Sequence, residues 1–175
     1  MSSAKPSSPR RYVIVAAARA CFLRFGYKKT SFADVAKAAG ISRSLIYVHF
    51  EKKEDLLGAV FTAVFEERYP EVERILATDG TSSAKLVRVY DQLLVEPYAE
   101  VTAGAASGEF LETCEQIIPE AEQAYQERRF RYTLAILEDR ELAQIFVMSA
   151  DGLLADLPSP KLLRKRLSRL IERFT

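Results

Sequence analysis

The chain has 175 residues, 49% of them hydrophobic and 10% aromatic, with only 7 Gly and 7 Pro. That is enough apolar material to bury the core of one or two domains, and it excludes a disordered or low-complexity chain. The net charge of +1 conceals an imbalance: residues 1–60 carry 11 Lys and Arg against 4 Asp and Glu, a balance of +7, and the remaining 14 and 20 leave residues 61–175 at −6. A basic head on an acidic body suits a polyanion-binding domain joined to a domain with another task.

Residues 1–9, MSSAKPSSP, are polar and broken by proline, and read as a disordered tail. From it Lys5, with Arg10 and Arg11, can either reach along a DNA groove or stay solvated. The run RRYVIVAAA at 10–18 resembles the start of an export signal, but Arg19 interrupts it and no clean cleavage site follows. Ile14, Ala17, Ala18, Cys21, Phe22 and Phe25 recur at helical spacing, so a core-facing amphipathic helix fits better. No stretch approaches the length needed to span a bilayer, and a cytoplasmic protein is expected.

Residues 30–56, TSFADVAKAAGISRSLIYVHFEKKEDL, carry the most information. Thr30 and Ser31 can cap a short helix, and Asp34 sits in its first turn, where the helix dipole favours a carboxylate. Phe32, Val35, Ala36 and Ala39 share one face. Gly40 is placed for a left-handed stop, and Ile41 for a core plug in the turn. Ser42 then caps a second short helix, roughly Arg43 to Phe50, whose Ile46 and Phe50 face inward. Arg43, Ser44, Tyr47 and, near them, Leu45 and Val48 are left on or near the outward side.

A helix, a glycine turn and a second helix with hydroxyl and basic groups make the layout of a helix-turn-helix DNA reader. Arg43 matches the two acceptors of a guanine edge, and Leu45 or Val48 suits a thymine methyl. Ser42, Tyr47 and His49 suit phosphate oxygens, which hold register. Lys53, opening the next helix, is expected to clamp another phosphate. The expected DNA-binding set is therefore Thr30, Ser31, Ser42, Arg43, Ser44, Leu45, Tyr47, His49 and Lys53.

Residues 10–57 resemble the DNA-binding domain of the tetracycline-repressor (TetR) family of bacterial transcription regulators. The matching pieces are FLRFGYKKTSF, DVAKAAGIS, LIYVHF and KKEDLL, in that order. Three positions depart from the commonest pattern: Lys52 stands where Ser, Asn or Asp usually caps the fourth helix, Leu45 is bulkier than usual, and Glu51 puts a negative charge near the phosphate path. The resemblance implies an all-α homodimer with an N-terminal three-helix helix-turn-helix domain (10–52), a linking helix (53–77) and a C-terminal ligand-sensing and dimerisation domain (78–175).

From Lys53 the stripe Leu56, Leu57, Val60, Phe61 and Val64 predicts a long helix towards residue 77, and Pro70 predicts a bend near Tyr69. TDGTSS at 78–83 is a loop. Leu86, Val89, Tyr90, Leu93 and Leu94 mark a helix expected to stop near Pro97. Residues 98–117 are less regular, with TAGAASGEF as a loop. Pro119 opens a helix to about Glu138, with Ala121, Ala124, Tyr125, Phe130, Leu134 and Leu137 available for packing. The last two helices, about 141–155 and 160–174, carry apolar stripes that can complete this chain's own core or form half of a four-helix bundle with a second subunit. Lys161, Arg164, Lys165, Arg166, Arg169 and Arg173 make the final helix basic, either as a solvated face paired with acids or as a second nucleic-acid patch.

No catalytic set, metal site or cofactor motif can be assembled around one His and two distant Cys, so no enzyme is expected. Cys21 reads as a small core residue and Cys114 as a candidate exposed, redox-sensitive thiol. The resemblance implies a sensor pocket, for which Tyr90, Leu94, Tyr98, Phe110, Tyr125, Phe130 and Phe146 are candidates; aromatics at helical spacing are also ordinary core. The leading reading is a repressor that binds double-stranded operator DNA, released by a small apolar or aromatic effector. The alternative is a DNA-binding regulator without small-molecule sensing, controlled by a partner protein or by abundance.

Overall fold

The computed structural model describes residues 9–104, 113–114 and 116–175. Among the described residues there are helices and turns and no strand, in keeping with the all-α expectation. In chain order the helices are α1 (Pro9–Phe25), α2 (Phe32–Ala39), α3 (Arg43–His49), α4 (Lys53–Glu66), α5 (Tyr69–Ala77) and α6 (Ser82–Tyr90). A π-helical turn (Asp91–Val95) follows, then α7 (Glu96–Thr102), α8 (Pro119–Leu137), α9 (Arg140–Gly152) and α10 (Pro160–Phe174). The residues fall into two compact units: Met1–Ala63 with Val101–Ala121, and Val64–Glu100 with Glu122–Thr175. This division differs from the single C-terminal domain expected at 78–175, because residues 101–121 group with the N-terminal unit. The tail residues 1–8, and residues 105–110 of the expected loop, lie outside the described residues.

In the N-terminal unit, α1 buries Ile14, Val15, Ala18, Cys21 and Phe22. They pack with Phe32, Val35 and Ala36 of α2, Ile46 and Phe50 around α3, Leu56, Leu57 and Val60 of α4, and Cys114 and Ile118. Two sequence expectations are corrected here. Phe25 is 49% exposed, because α1 ends there and the chain turns away through Gly26 at φ 89°. Cys114 is buried in the same core as Cys21, so it is not the exposed thiol expected.

In the second unit the long helix expected at 53–77 is interrupted, as Pro70 foretold, between Glu66 and Tyr69. The break has a local cause. The Arg68 guanidinium donates to the Val64 carbonyl at 2.5 Å, taking an acceptor freed at the end of α4, and also pairs with Glu100. Pro70 then sits in the first turn of α5, where its missing N–H costs nothing. The core of this unit is built from Val72 and Ile75 of α5, Leu86, Val89 and Tyr90 of α6, and Ala143, Phe146 and Ala150 of α9, with Leu163, Leu167 and Ile171 of α10. Thr81, Asp139 and Ser159 cap α6, α9 and α10, each accepting a backbone N–H of the first turn.

The stop expected near Pro97 does not occur. The chain stays helical because the turn before it widens: the Glu96 N–H bonds back to the Asp91 carbonyl, and Pro97 falls in the first turn of α7. Pro97 has no N–H to offer the Leu93 carbonyl four residues back. That carbonyl instead accepts the Tyr125 hydroxyl at 2.6 Å, which ties the widened turn to α8.

Gly104 is required by contact rather than by backbone freedom. A Cβ there would stand 2.5 Å from the Leu23 carbonyl oxygen. Gly104→Ala must push backbone apart, and a cost of about 2 kcal/mol is expected, a fall of roughly 4–8 °C in melting temperature. Thermal unfolding followed by circular dichroism checks it, and a melt indistinguishable from that of the parent chain would count against this close approach.

Candidate nucleic-acid interface

The helix-turn-helix is assembled from caps outward. Ser31 and Asp34 form a reciprocal capping box: the Ser31 N–H and hydroxyl meet Asp34 Oδ2 at 2.8 and 2.6 Å, and the Asp34 N–H reaches Ser31 Oγ at 3.3 Å. These bonds hold the Asp34 carboxyl below the usual carboxylate range. At the far end of α2, Gly40 adopts φ 67°, ψ 32°. The Ile41 N–H closes onto the Ala36 carbonyl at 3.0 Å and the Gly40 N–H onto Lys37, a Schellman stop. Ile41 packs against the core cluster, as the sequence suggested.

The turn delivers Ser42, whose Oγ accepts the Leu45 N–H at 3.3 Å and lies 3.0 Å from Ser44 Oγ. Within α3 only Ile46 is buried. Phe50, extended at φ −141°, ψ 114°, ends the helix and is itself buried. Arg43, Ser44, Tyr47 and Val48 are left exposed, with Leu45 and His49 half-buried. The outward face is therefore the one predicted.

Two of its groups are already organised. The Arg43 guanidinium donates to the Tyr47 hydroxyl at 3.0 Å and lies 5.5 Å from that ring's centre. The Tyr47 ring packs edge-on against Phe32 at 5.0 Å. Tyr47 thus braces Arg43 and ties α3 to α2, a role the sequence does not suggest. Arg11, a candidate either to reach DNA or to stay solvated, has its guanidinium 4.8 Å from the centre of the Phe50 ring.

Two residues of the expected DNA-facing set make their contacts within the protein. Thr30 is buried; its hydroxyl donates to the Gly26 carbonyl at 2.8 Å and closes the end of α1. Lys53 is half-buried, its ammonium held by the Tyr27 and Thr30 carbonyls at 3.0 and 3.1 Å and 4.2 Å above the Tyr27 ring. The Tyr27–Thr30 turn ends with its carbonyls converging, so the nearest cation is drawn in to satisfy them. Ser31 stays exposed at the start of α2. Lys52, without a capping side chain, still gains half a box, since its N–H reaches Asp55 Oδ2 at 3.0 Å.

The residues offered for a sensor pocket fall mostly in the core of the second unit. Tyr90, Leu94, Tyr98, Tyr125 and Phe146 are buried. Tyr90 shares a 2.8 Å hydrogen bond with Thr133, Tyr98 donates to the Pro158 carbonyl at 2.8 Å, and Tyr125 takes Leu93. Tyr90 and Phe146 meet edge-on at 5.0 Å. Phe130 is only half-buried, with Arg140 5.4 Å from its ring centre, and does not join them. Phe110 lies outside the described residues. Burial pushes the Tyr90 and Tyr125 hydroxyls well above the ordinary phenol range, so both stay neutral. Sequence reading misses Arg129, a buried cation on α8 among these tyrosines; its only signal is an arginine one turn after Tyr125 on an otherwise mixed helix.

Comparison with known proteins follows the same division. Residues 14–60 match the family model described as bacterial regulatory proteins, tetR family. An HTH-type transcriptional regulator of Bacillus subtilis, YhgD, is 39% identical over 61 residues, 35% of this chain and 32% of that protein. TtgR, an HTH-type transcriptional regulator of Pseudomonas putida, is 31% identical over 91 residues, 49% of this chain and 43% of that one. The chain thus spans less than half the length of these relatives. The crystal structure of a transcriptional regulator from Cytophaga hutchinsonii superposes with a TM-score of 0.79 at 17% identity, covering 95% of this chain and 97% of that one. A TetR transcriptional regulator from Legionella pneumophila gives 0.73 at 22% identity, covering 97% and 98%. At these identities the structural likeness establishes the fold.

Because Lys53 serves the Tyr27–Thr30 turn, its loss should be felt without any nucleic acid present. Lys53→Gln is expected to cost about 2 kcal/mol, the scale of hydrogen bonds from a charged donor. Chemical denaturation of the free protein measures it, and an unchanged midpoint would return Lys53 to the solvent-facing set.

Proposed function

We propose that this chain, a member of the tetR family of bacterial regulatory proteins, is a dimeric transcription repressor that reads operator DNA with α3 and releases it when a small molecule binds the second unit. What carries the reading is the outward face of α3, where Arg43, Ser44, Tyr47 and Val48 are exposed over an anchored Ile46. Such a face fits the major groove, with Arg43 on a guanine edge and Val48 on a thymine methyl. Ser44 reaches base edges beside them, and Ser42 and His49 take phosphates. Among the described residues no helix is long and apolar enough to cross a membrane, which agrees with work beside the chromosome in the cytoplasm.

The dimer reading rests on α9 and α10. Leu142, Ile145 and Met148 are exposed at i, i+3 and i+6 along α9, outside its buried face of Ala143, Phe146 and Ala150, and Leu162 is exposed on α10. A row of large apolar side chains in water favours a second copy. Two reading heads then reach adjacent major grooves, which one head cannot do at useful affinity. Release requires that the effector bind unequally to the DNA-bound and free arrangements.

Footprinting on the DNA flanking its own coding region should reveal a two-fold site. Arg43→Ala should cost about 1–3 kcal/mol there and relax preference at one position of each half-site; unchanged preference would remove Arg43 from base reading. The double variant Ile145→Asp, Met148→Asp should sediment as a monomer at concentrations where the parent chain is a dimer, and a surviving dimer would move the interface elsewhere.

A further inference from the structure

Arg129 of α8 is 1% exposed, and its donors are unevenly spent. Nη2 faces three acceptors, Gln126 Oε1 at 2.5 Å and the two Asp151 oxygens at 2.5 and 2.6 Å. A guanidinium carries five N–H groups, two of them on that nitrogen. The other three sit on Nη1, whose one contact is the Tyr125 oxygen at 3.4 Å, and on Nε, which has no hydrogen-bond partner. An arginine in a dry interior ordinarily fills its fork, because each buried donor left unmet is costly.

The surroundings suit an occupant. The guanidinium carbon lies 5.1 Å from the Tyr125 ring centre and 6.0 Å from that of Tyr90. Phe65 stacks on Tyr125 at 4.0 Å, and Phe146 meets Tyr90 edge-on. The π-helical turn Asp91–Val95, bonded through Leu93 to Tyr125, borders the same cluster, and such turns recur at functional sites. Asp151 differs from the arginine it neutralises: its side chain is 40% exposed and can turn into water.

We infer that Arg129 is the recognition group for an organic acid, whose carboxylate takes both arms of the guanidinium while Asp151 swings out and the aromatic rings hold its apolar body. Exchange of one carboxylate for another keeps the buried cation neutralised throughout, which avoids the cost of an unpaired interior charge. This rests on the ligand-responsive reading above, and it replaces a purely apolar effector with an amphiphilic acid.

The test is calorimetric and thermal-shift titration of the full chain with benzoate, phenylacetate and hexanoate, each beside its primary amide. At least one acid should bind saturably and raise the melting temperature while its amide does not. Asp151→Asn, which removes the competing carboxylate, should tighten that acid about tenfold, and Arg129→Gln should abolish binding. The inference is overturned if acids and amides behave alike in both the parent chain and Asp151→Asn, or if a folded Arg129→Gln binds as well as the parent. Should Arg129→Gln fail to fold, the Asp151→Asn comparison decides. Duplex binding followed by fluorescence anisotropy in the same preparations separates the two readings: duplex bound but no acid effect sinks this inference alone, whereas no duplex bound sinks the regulator itself.

Discussion

Ile46 is the point about which the N-terminal unit is organised. A seven-residue helix is far too short to persist in water, because the cost of its first turn is never recovered by propagation. It exists here because Ile46 is fully buried among side chains of its own unit and Phe50 seals its exit. Ser42 at one end and the extended Phe50 at the other satisfy the terminal backbone groups. With a single inward anchor, nearly all the remaining side chains of α3 are forced outward. Exposure of the outward face is thus a consequence of how little of the helix is used for folding.

The second unit solves a different problem. Its core contains hydroxyls and a guanidinium that must be satisfied without water. Proline at position 97 removes one ladder bond, the Leu93 carbonyl is handed to Tyr125, and the Tyr90 and Thr133 hydroxyls hydrogen-bond to each other. Arg129 threads between the two tyrosines and reaches the surface through Asp151. Where the first unit turns Thr30 and Lys53 onto the carbonyls of one turn, this one builds a polar thread through an aromatic interior. That contrast is what makes the second unit the place to look for a small molecule.

Much of this is legible in the residues. The capping serines, Gly40, the inward pair Ile46 and Phe50, and the break before Pro70 are all local consequences of side-chain chemistry, within reach of local rules. The bounds of α10 are readable for the same reason, since Ser159 and Pro160 announce its start. Most of the failures are long-range. Nothing near Lys53 in sequence says that carbonyls at positions 27 and 30 will converge on its ammonium. Thr30 looks like a cap because the end of α1 that claims its hydroxyl is not in view. Pro97 looks like a stop because a π turn leaves no mark in a hydrophobic pattern. Arg129 is overlooked because a mixed helix gives an arginine no reason to be inside.

The bracing of Tyr47 has a consequence for how such a protein diversifies. Ser44 and Val48 have no share in the core of their unit, whereas Tyr47 is wedged on Phe32 and steadies Arg43. If α3 reads DNA as proposed, a change at either of the first two positions alters what is read at almost no expense in folding. A change at the tyrosine would disturb architecture and vocabulary together. The lexicon of α3 is therefore divided into letters that can be exchanged and one that is also a hinge pin.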